Sequence, residues 1–296
     1  PAAGDLILPD GHMNLALVPW IRRALDRGVV ERDAVRVGER VYGLNARRLQ
    51  AEGGVLIVVR DRTEELRREA AEREFVSNAA HELRNPIAGL SGAIEVLRAG
   101  AKDDPDAREH FLSRLAADAD RVARLTESLL TLARVEAVGE GGGGPIDVAI
   151  AIEEATAAVS PPEGVALDLD LESELAAEGD GVLLRQVLIG LLTNAFKNTT
   201  SGGTVSVSAC RIDDGVRIEV ADTGKGIAPE DIDRIFDRFY RGSGSLEQDG
   251  FGLGLAIAKR MVDVMGGEIG VESELGVGST FWIRLPAAKP APTPVA

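Results

Sequence analysis

The sequence predicts a multidomain protein in which a small α+β segment precedes a helical hairpin, and the hairpin precedes an α/β sandwich domain. Three observations predict this fold class: two long segments have apolar residues at helical spacing, a run of glycines follows them, and strand-like and helix-like segments alternate beyond it. A single αα-hairpin buries only one apolar stripe, so we expect it to dimerise into a four-helix bundle. At 296 residues, the chain is long enough for about two domains with cores of their own.

Residues 1–63 are predicted to form a small N-terminal module. Within it, residues 35–49 are expected to form an extended ribbon with a turn near Gly43, and residues 55–60 a β-branched strand. This strand and the following Asp61-Arg62-Thr63-Glu64 resemble the last strand and exit helix of a PAS sensor domain, of which only the C-terminal half would be present. A generic small αβ module is an equally weighted alternative.

Residues 64–138 are predicted to form the hairpin, with a turn near residues 102–105. The apolar positions of the first helix recur at steps of four and three; they are Leu83, Ile87, Leu90, Ile94 and Leu97. At about 100° per residue, His81 points about 160° away from this stripe, with Glu82 beside it and Asn85 one turn further on the outward face. A nucleophile on a solvated helix face has to be reached from outside. This placement indicates a phosphoryl group delivered by a second domain.

Residues 139–145 are glycine-rich and are predicted to be a flexible linker. They separate the hairpin from an α/β domain predicted over residues 146–287, and the Ala/Pro-rich tail, residues 288–296, is predicted to be disordered. The predicted elements of this domain are strands at 165–171, 204–212 and 216–222, helices at 150–159, 181–198 and 253–265, and a closing hairpin at 269–285.

Composition and charge exclude several classes of protein. The formal net charge of −15 argues against a nucleic-acid-binding protein, because a polyanion would be repelled over most of the surface. Cys210 is the only cysteine, which excludes an internal disulfide and a cysteine-cluster metal site and suits a reducing cytoplasm. No stretch approaches the roughly 20 apolar residues needed to cross a bilayer. Because the chain begins at Pro1, we expect it to be part of a longer protein, whose membrane anchoring would depend on an upstream segment.

The α/β domain contains four motifs of glycines or asparagines in a fixed order. Residues 194–198 place two asparagines one helical turn apart around a lysine, and residues 222–226 place a carboxylate at a strand end beside two glycines. Residues 250–255 open a helix, where backbone N–H groups and the helix dipole can bind phosphate. Residues 276–280 form a further turn between strands. Each motif alone is weak evidence, but the ordered set indicates a nucleotide site.

With these motifs the chain resembles the transmitter region of a bacterial sensor histidine kinase, over about residues 64–287. His81-Glu82-Leu83-Arg84-Asn85-Pro86 is similar to the H box of that family. The other boxes are matched by residues 192–199 (N box), 222–226 (first glycine box), 235–241 (F box), 250–255 (second glycine box) and 276–280 (third glycine box). The resemblance implies a GHKL-type (Bergerat) ATP-binding fold for the α/β domain.

The resemblance also implies an activity: ATP-dependent phosphorylation of His81 within a homodimer, and transfer of the phosphoryl group to an aspartate on a response regulator receiver domain. Glu82 would take up the proton of the attacking imidazole, and Asn85 would position water for dephosphorylating the regulator. ATP and Mg²⁺ are the implied cofactors, with Asp222 accepting a hydrogen bond from the adenine amino group and Asn194 coordinating the metal. The nucleotide-binding residues implied are Asn194, Lys197, Asn198, Asp222, Gly224, Gly226, Tyr240, Arg241, Gly250, Gly252, Leu253, Gly254, Leu255 and Thr280.

Three positions depart from the family pattern. Gly190 stands where the family usually has an asparagine, four residues before Asn194, and this leaves one alternative open: a nucleotide-binding transmitter with weak kinase or mainly phosphatase activity. The position of Asn198 is more often aromatic or histidine, and Phe251 is bulkier than the small residue common between the glycines. A second alternative is a related ATPase such as gyrase or a heat-shock chaperone. Those proteins have a glutamate at the position of Gly190 to activate water, and they lack an H box.

Overall fold

The computed structural model describes residues 18–27, 29–49, 55–139, 143–242 and 250–288. The chain divides into two compact units, Pro1–Ala79 and Ala80–Ala296. None of the helices in the described ranges is long and apolar enough to cross a membrane. The predicted tail lies almost wholly outside these ranges, as does the middle of the predicted linker.

The first unit contains one short helix and a three-stranded antiparallel sheet in the order β1-β2-β3. The elements are α1 (Val18–Arg27), β1 (Val29–Val37), β2 (Arg40–Arg48) and β3 (Val55–Asp61). Tyr42 and Leu44 of β2 are almost fully buried, with Trp20 and Ile57 packed against them. Alternation along β2 puts these side chains on one face of the sheet.

The predicted turn near Gly43 is wrong, because Gly43 lies inside β2. The chain reverses instead at Gly38, whose φ of 60° is the left-handed conformation that glycine adopts without strain. Gly43 has a different role: a Cβ there would come 2.8 Å from the side chain of Arg62. A glycine inside a strand can mark a close approach of this kind as well as a turn.

The predicted hairpin consists of two long helices, α2 (Thr63–Arg98) and α3 (Pro105–Ala137). Between them, a 3-10 turn covers Ala101–Asp103. Asp104 ends the turn and caps α3, since its side chain accepts hydrogen bonds from the backbone N–H groups of Asp106 and Ala107 at 3.0 and 3.3 Å. Proline at the next position starts the helix without losing a hydrogen bond.

The α/β region is a mixed five-stranded sheet covered by helices. Its elements are β4 (Gly144–Asp147), α4 (Val148–Ala158), β5 (Ala166–Leu171), β6 (Ala176–Gly179), α5 (Gly181–Asn198), β7 (Thr204–Ile212), β8 (Gly215–Asp222), α6 (Pro229–Ile232), α7 (Gly254–Val264), β9 (Glu268–Glu274) and β10 (Gly278–Pro286). The sheet order is β5-β7-β8-β10-β9, with β5 and β7 parallel and the other neighbours antiparallel. β4 and β6 pair separately. The core fills the space between this sheet and the helices α4, α5 and α7.

The predicted strands and long helices of this region are therefore confirmed to within a few residues. Sequence reasoning missed β4, β6 and α6, each of which has four residues. Elements this short show no periodicity of their own. The domain limits predicted from the sequence stay predictions.

The end of α3 packs against the α/β region. Val135, 5% exposed, belongs to the same buried cluster as the residues of the sheet and of α5. Next to it, Glu136 forms an ion pair with Arg238. The last turn of the hairpin is thus part of the core of the α/β region.

Candidate active site

A cavity of about 700 Å³ lies beside α5, the end of β8 and the start of α7. Most of the nucleotide-binding residues implied by the sequence line it. These are Asn194, Lys197, Asn198, Asp222, Gly226, Tyr240, Arg241, Gly250, Gly252, Gly254 and Leu255. The fold thus brings together residues from all the motifs of the α/β region, since Ser279 of residues 276–280 also lines the cavity. A volume of this size is typical of small-molecule sites.

Asp222 is a buried carboxylate at the end of β8, with 7% of its surface exposed. Its Oδ1 accepts a hydrogen bond from the backbone N–H of Gly224 at 2.9 Å. Burial raises the pKa of Asp222, while the backbone N–H groups of Gly224 and Ser279 partly offset the rise. A carboxylate held in this way is oriented to accept a further hydrogen bond from a ligand in the cavity.

The glycine beside Asp222 has a structural role. Gly224 does not line the cavity, but a Cβ there would come 2.7 Å from Asp222 Oδ1 and closer still to the carbonyl of Asn198. Gly224 therefore permits the loop after β8 to fold against the end of α5. A larger residue would displace Asp222.

The last turns of α5 supply the amide and ammonium groups of the cavity. Asn198 Nδ2 donates to the backbone carbonyl of Asn194 at 2.7 Å, and it lies 3.2 Å from Asn194 Oδ1. Both asparagines are half-buried, and Lys197 is exposed at the cavity edge. Gly190, one turn earlier, also lines the cavity, and a Cβ added there would meet no atom within 4 Å. The helix thus leaves space where the family has a second asparagine.

Residues 250–255, which we call the glycine loop, line another part of the cavity and lead into α7. Gly252 has a φ of 67°, and a Cβ there would contact the backbone of Phe239 and Tyr240. The start of α7 has no side-chain cap, so its first N–H groups are available to an anion in the cavity. Leu253, by contrast, is 2% exposed and does not line the cavity. It anchors the loop rather than contacting a ligand.

Tyr240 is held by Asp231, a residue that sequence reasoning missed. The Tyr240 hydroxyl donates to Asp231 Oδ1 at 2.7 Å, and the guanidinium of Arg234 lies 4.3 Å from the tyrosine ring centre. The hydrogen bond to Asp231 raises the pKa of Tyr240. Asp231 is 6% exposed and lines the cavity itself, so it holds the tyrosine within the cavity wall.

Thr280 does not lie in the cavity lining, whereas the neighbouring Ser279 does. Ser279 pairs with Asp222 across β10 and β8, and successive side chains of a strand point to opposite faces of the sheet. The side chain of Thr280 is therefore on the other face. The register between β8 and β10, which no local motif reveals, determines which of these two side chains faces the cavity.

Lys225, a residue of the 222–226 motif, is a further lining residue that sequence reasoning did not select.

The three predicted catalytic residues lie on α2. His81 and Asn85 are exposed, and Glu82 is half-buried. Glu82 Oε2 accepts a hydrogen bond from Arg121 Nη2 of α3 at 3.3 Å. In the described part of the chain, the imidazole of His81 makes no hydrogen bond, which leaves its ring nitrogens accessible from outside.

Two family sequence profiles match the chain. The profile of the His Kinase A (phospho-acceptor) domain matches residues 71–138, and that of the histidine kinase-, DNA gyrase B-, and HSP90-like ATPase matches residues 179–289. These matches confirm the predicted fold class, a helical phosphoacceptor hairpin followed by a GHKL-type ATPase domain. The dimeric four-helix bundle stays a prediction.

Similar proteins are sensor kinases from several bacteria. The sensor-like histidine kinase SenX3 of Mycobacterium tuberculosis is 35% identical over 260 residues, which cover 85% of this chain and 63% of SenX3. The sensor protein SrrB of Staphylococcus aureus is 32% identical over 239 residues, 79% of this chain and 41% of SrrB. Among solved structures, full-length ShkA in complex with AMPPNP has a TM-score of 0.53 at 32% identity, over 74% of this chain and 47% of ShkA. The chain thus spans about two fifths to three fifths of these proteins.

Proposed function

We propose that this chain, which belongs to the sensor histidine kinases of two-component systems, transfers the γ-phosphoryl group of ATP to His81. One observation carries the proposal: two buried carboxylates, two amides, two lysines and an arginine line the same cavity within a GHKL-type domain. The exposed His81 on the adjoining hairpin supplies an acceptor. The second step is transfer of the group to an aspartate of a response regulator.

Asp222 selects the nucleotide in this proposal. Its carboxylate accepts a hydrogen bond from the exocyclic amino group of adenine, whereas guanine presents a carbonyl oxygen at the corresponding position, which the carboxylate repels. The apolar Ile227 and Phe281 also line the cavity and provide a surface for the base. Lys197, Arg241 and the N–H groups at the start of α7 bind the phosphates in this proposal, which their position in the cavity lining supports.

Mg²⁺ fits the donor set as an ion that enters with the nucleotide. The described residues contain no group of three or more histidine, cysteine, aspartate or glutamate side chains that could hold a metal by themselves. Mg²⁺ typically keeps several waters and binds through substrate phosphates and one or two protein oxygens, and Asn194 Oδ1 provides such an oxygen. When bound, the ion neutralises charge that develops on the phosphate oxygens.

His81 acts as the nucleophile, and Glu82 as its base. One imidazole nitrogen forms a bond to the γ-phosphorus while the bond from that phosphorus to the bridging oxygen breaks, and ADP leaves with the electron pair. The proton on the other ring nitrogen passes to Glu82. Asn85, one turn beyond His81, is exposed on the same face, and in this proposal it positions water when a phosphorylated regulator docks there.

The test of this function is incubation of the purified chain with Mg²⁺ and ATP labelled on the γ-phosphate. A phosphohistidine is labile in acid and stable in base, so the label should vanish on acid treatment and survive alkali. If the chain binds ATP but never takes up label, the alternative applies: a transmitter that uses nucleotide mainly to set its conformation or to dephosphorylate its regulator. Gly190 is the feature that favours this alternative.

Replacing Gly190 with asparagine should raise the rate of His81 phosphorylation severalfold. The new side chain would enter open space one turn before Asn194 and offer a second amide oxygen to the metal or the phosphates. Gly190→Ala is the matched control, because it adds the general helix stabilisation of about 0.5–1 kcal/mol without an amide. Initial rates of labelling at several Mg²⁺ concentrations measure the effect. Equal rates for both variants would mean that the missing amide does not limit the reaction.

We also propose that the hairpin forms a homodimer. Large apolar side chains on both helices are exposed in the single chain: Ile87 at 51%, Ile94 at 47%, Leu112 at 47% and Leu130 at 47%. A second copy that completes a four-helix bundle would cover them. The match to the phosphoacceptor domain family supports the same arrangement.

Ile94→Asp should convert the dimer to a monomer, because the substitution would bury an unpaired charge in the bundle. Light scattering during size-exclusion chromatography measures the molar mass over a range of concentrations. The control is Ala88→Asp, which places the same charge two turns from His81 on its exposed face. A dimer that survives Ile94→Asp, or is lost in Ala88→Asp, would contradict this interface.

A further inference from the structure

Arg121 of α3 contacts two residues that are distant from it in the sequence. Its Nη2 donates to Glu82 Oε2 at 3.3 Å, and its guanidinium carbon lies 5.4 Å from the centre of the Phe251 ring. Glu82 follows His81 on α2, and Phe251 belongs to the glycine loop and lines the nucleotide cavity. One side chain therefore contacts both the helix that carries the acceptor and the wall of the cavity.

The surroundings of Arg121 do not suit a purely stabilising role. Its Nε is buried and has no hydrogen-bond partner among the described residues. One turn earlier on α3, Asp118 also has a buried oxygen, Oδ2, that lacks a partner in the described ranges. Buried polar atoms without partners lower stability. The unpaired Nε belongs to the side chain that contacts Glu82, and this favours a functional reason for the arginine.

Glu82 needs an external group to orient it. Neighbouring residues of a helix diverge by about 100°, so the carboxylate of Glu82 does not face the ring of His81 by default. Among the described residues, Arg121 is the one whose side chain forms a hydrogen bond with Glu82. An ion pair to a half-buried carboxylate restricts its rotamers, and a base must be held in position to act efficiently.

We propose that Arg121 is a positioning residue that couples the nucleotide cavity to Glu82. Its guanidinium group lies over the Phe251 ring and supports the cavity wall, while its Nη2–H group orients Glu82 for the reaction of His81. This inference rests on the proposed kinase function and deepens it. Because coupling between two sites is reciprocal, a change at either contact must alter the free energy of the other contact.

Arginine is suited to both contacts, and lysine to only one. A guanidinium can stack on an aromatic ring and donate to a carboxylate at the same time, whereas an ammonium group is a compact point charge. Arg121→Lys should therefore keep the attraction to Glu82 and weaken the contact with Phe251. Arg121→Ala should lose both contacts. This difference separates the two roles.

The experiment measures two quantities on the full chain: the Kd of a fluorescent ATP analogue, and the labelling rate of His81 at saturating ATP. Arg121→Ala should weaken binding about threefold, the scale of an exposed cation–π contact, and slow labelling at least tenfold. Arg121→Lys should weaken binding similarly but keep the labelling rate within about threefold of the wild type. In a Phe251→Leu background, which should itself bind about threefold more weakly, Arg121→Ala should weaken binding no further.

The matched control is Arg114→Ala, an exposed arginine two turns earlier on α3, which should change neither quantity. Unchanged nucleotide affinity in Arg121→Ala, or additive effects of the Arg121 and Phe251 substitutions, would overturn the coupling. Labelling by Arg121→Lys as slow as that by Arg121→Ala would overturn the role toward Glu82. A wild-type chain that binds no ATP analogue would instead defeat the proposed function itself, so the two failures are distinguishable.

Discussion

His81→Gln should abolish incorporation of acid-labile, base-stable phosphate from labelled ATP, while the Kd for nucleotide stays unchanged. Glutamine keeps a polar side chain on the exposed face of α2 but has no ring nitrogen to form a phosphoramidate. The cavity residues lie on the α/β region, so nucleotide binding does not need the imidazole. Labelling followed by acid and alkali treatment, with a parallel nucleotide titration, measures both expectations.

The matched control for this substitution is His110→Gln. His110 is an exposed histidine on α3 that packs edge-on against Phe111 and lies outside the H box. We expect the His110→Gln variant to take up as much label as the wild type. A His81→Gln variant that still takes up acid-labile label would show that another residue is the acceptor.

Asp222→Asn should weaken ATP binding by about 10- to 100-fold and leave the folded chain no less stable at pH 7. The loss follows from replacing a charged acceptor of the adenine amino group with a neutral amide, since a hydrogen bond to a charged group contributes about 1.5–3 kcal/mol. Titration with an ATP analogue measures the affinity. Thermal unfolding without nucleotide measures the stability.

The effect on stability follows from the direction of the pKa shift. Burial raises the pKa of Asp222 in the folded state above its ordinary value, so the folded state holds the proton more tightly than the unfolded state. Ionisation of Asp222 therefore opposes folding at pH values above the raised pKa, and this cost is relieved as the pH falls through it. The amide never ionises, so it removes the cost at neutral pH. Nucleotide affinity of the wild type should fall as acid protonates Asp222.

Asp213→Asn is the control, because Asp213 is an exposed carboxylate on the turn between β7 and β8. It removes the same formal charge without touching the cavity. Comparable loss of ATP affinity in both variants would indicate a general electrostatic effect. Strong binding by Asp222→Asn would exclude the proposed contact with adenine.

The parts of this fold that could be predicted from sequence are those with a strong local pattern. The stripe of Leu83, Ile87 and Leu90 predicts α2, and the glycines around Asp222 predict the loop after β8, because each depends on residues within one or two turns. The choice between Ser279 and Thr280 depends on the register of two strands. The contacts of Arg121 depend on how α3 lies against α2 and the glycine loop. Long-range geometry of this kind leaves no signal in a single sequence.

The placement of Val135 in the core of the α/β region has a consequence for domain exchange. A fragment that starts at the linker would lack Val135. The apolar residues that pack against Val135 would then be exposed to water, at a cost of about 1.5–3 kcal/mol for one valine-sized side chain. Chimeric proteins joined upstream of the last turn of α3 would keep Val135 in this core, whereas those joined at the glycines would lose it. The boundary that suits protein engineering therefore lies inside a helix, several residues before the flexible segment that the sequence suggests.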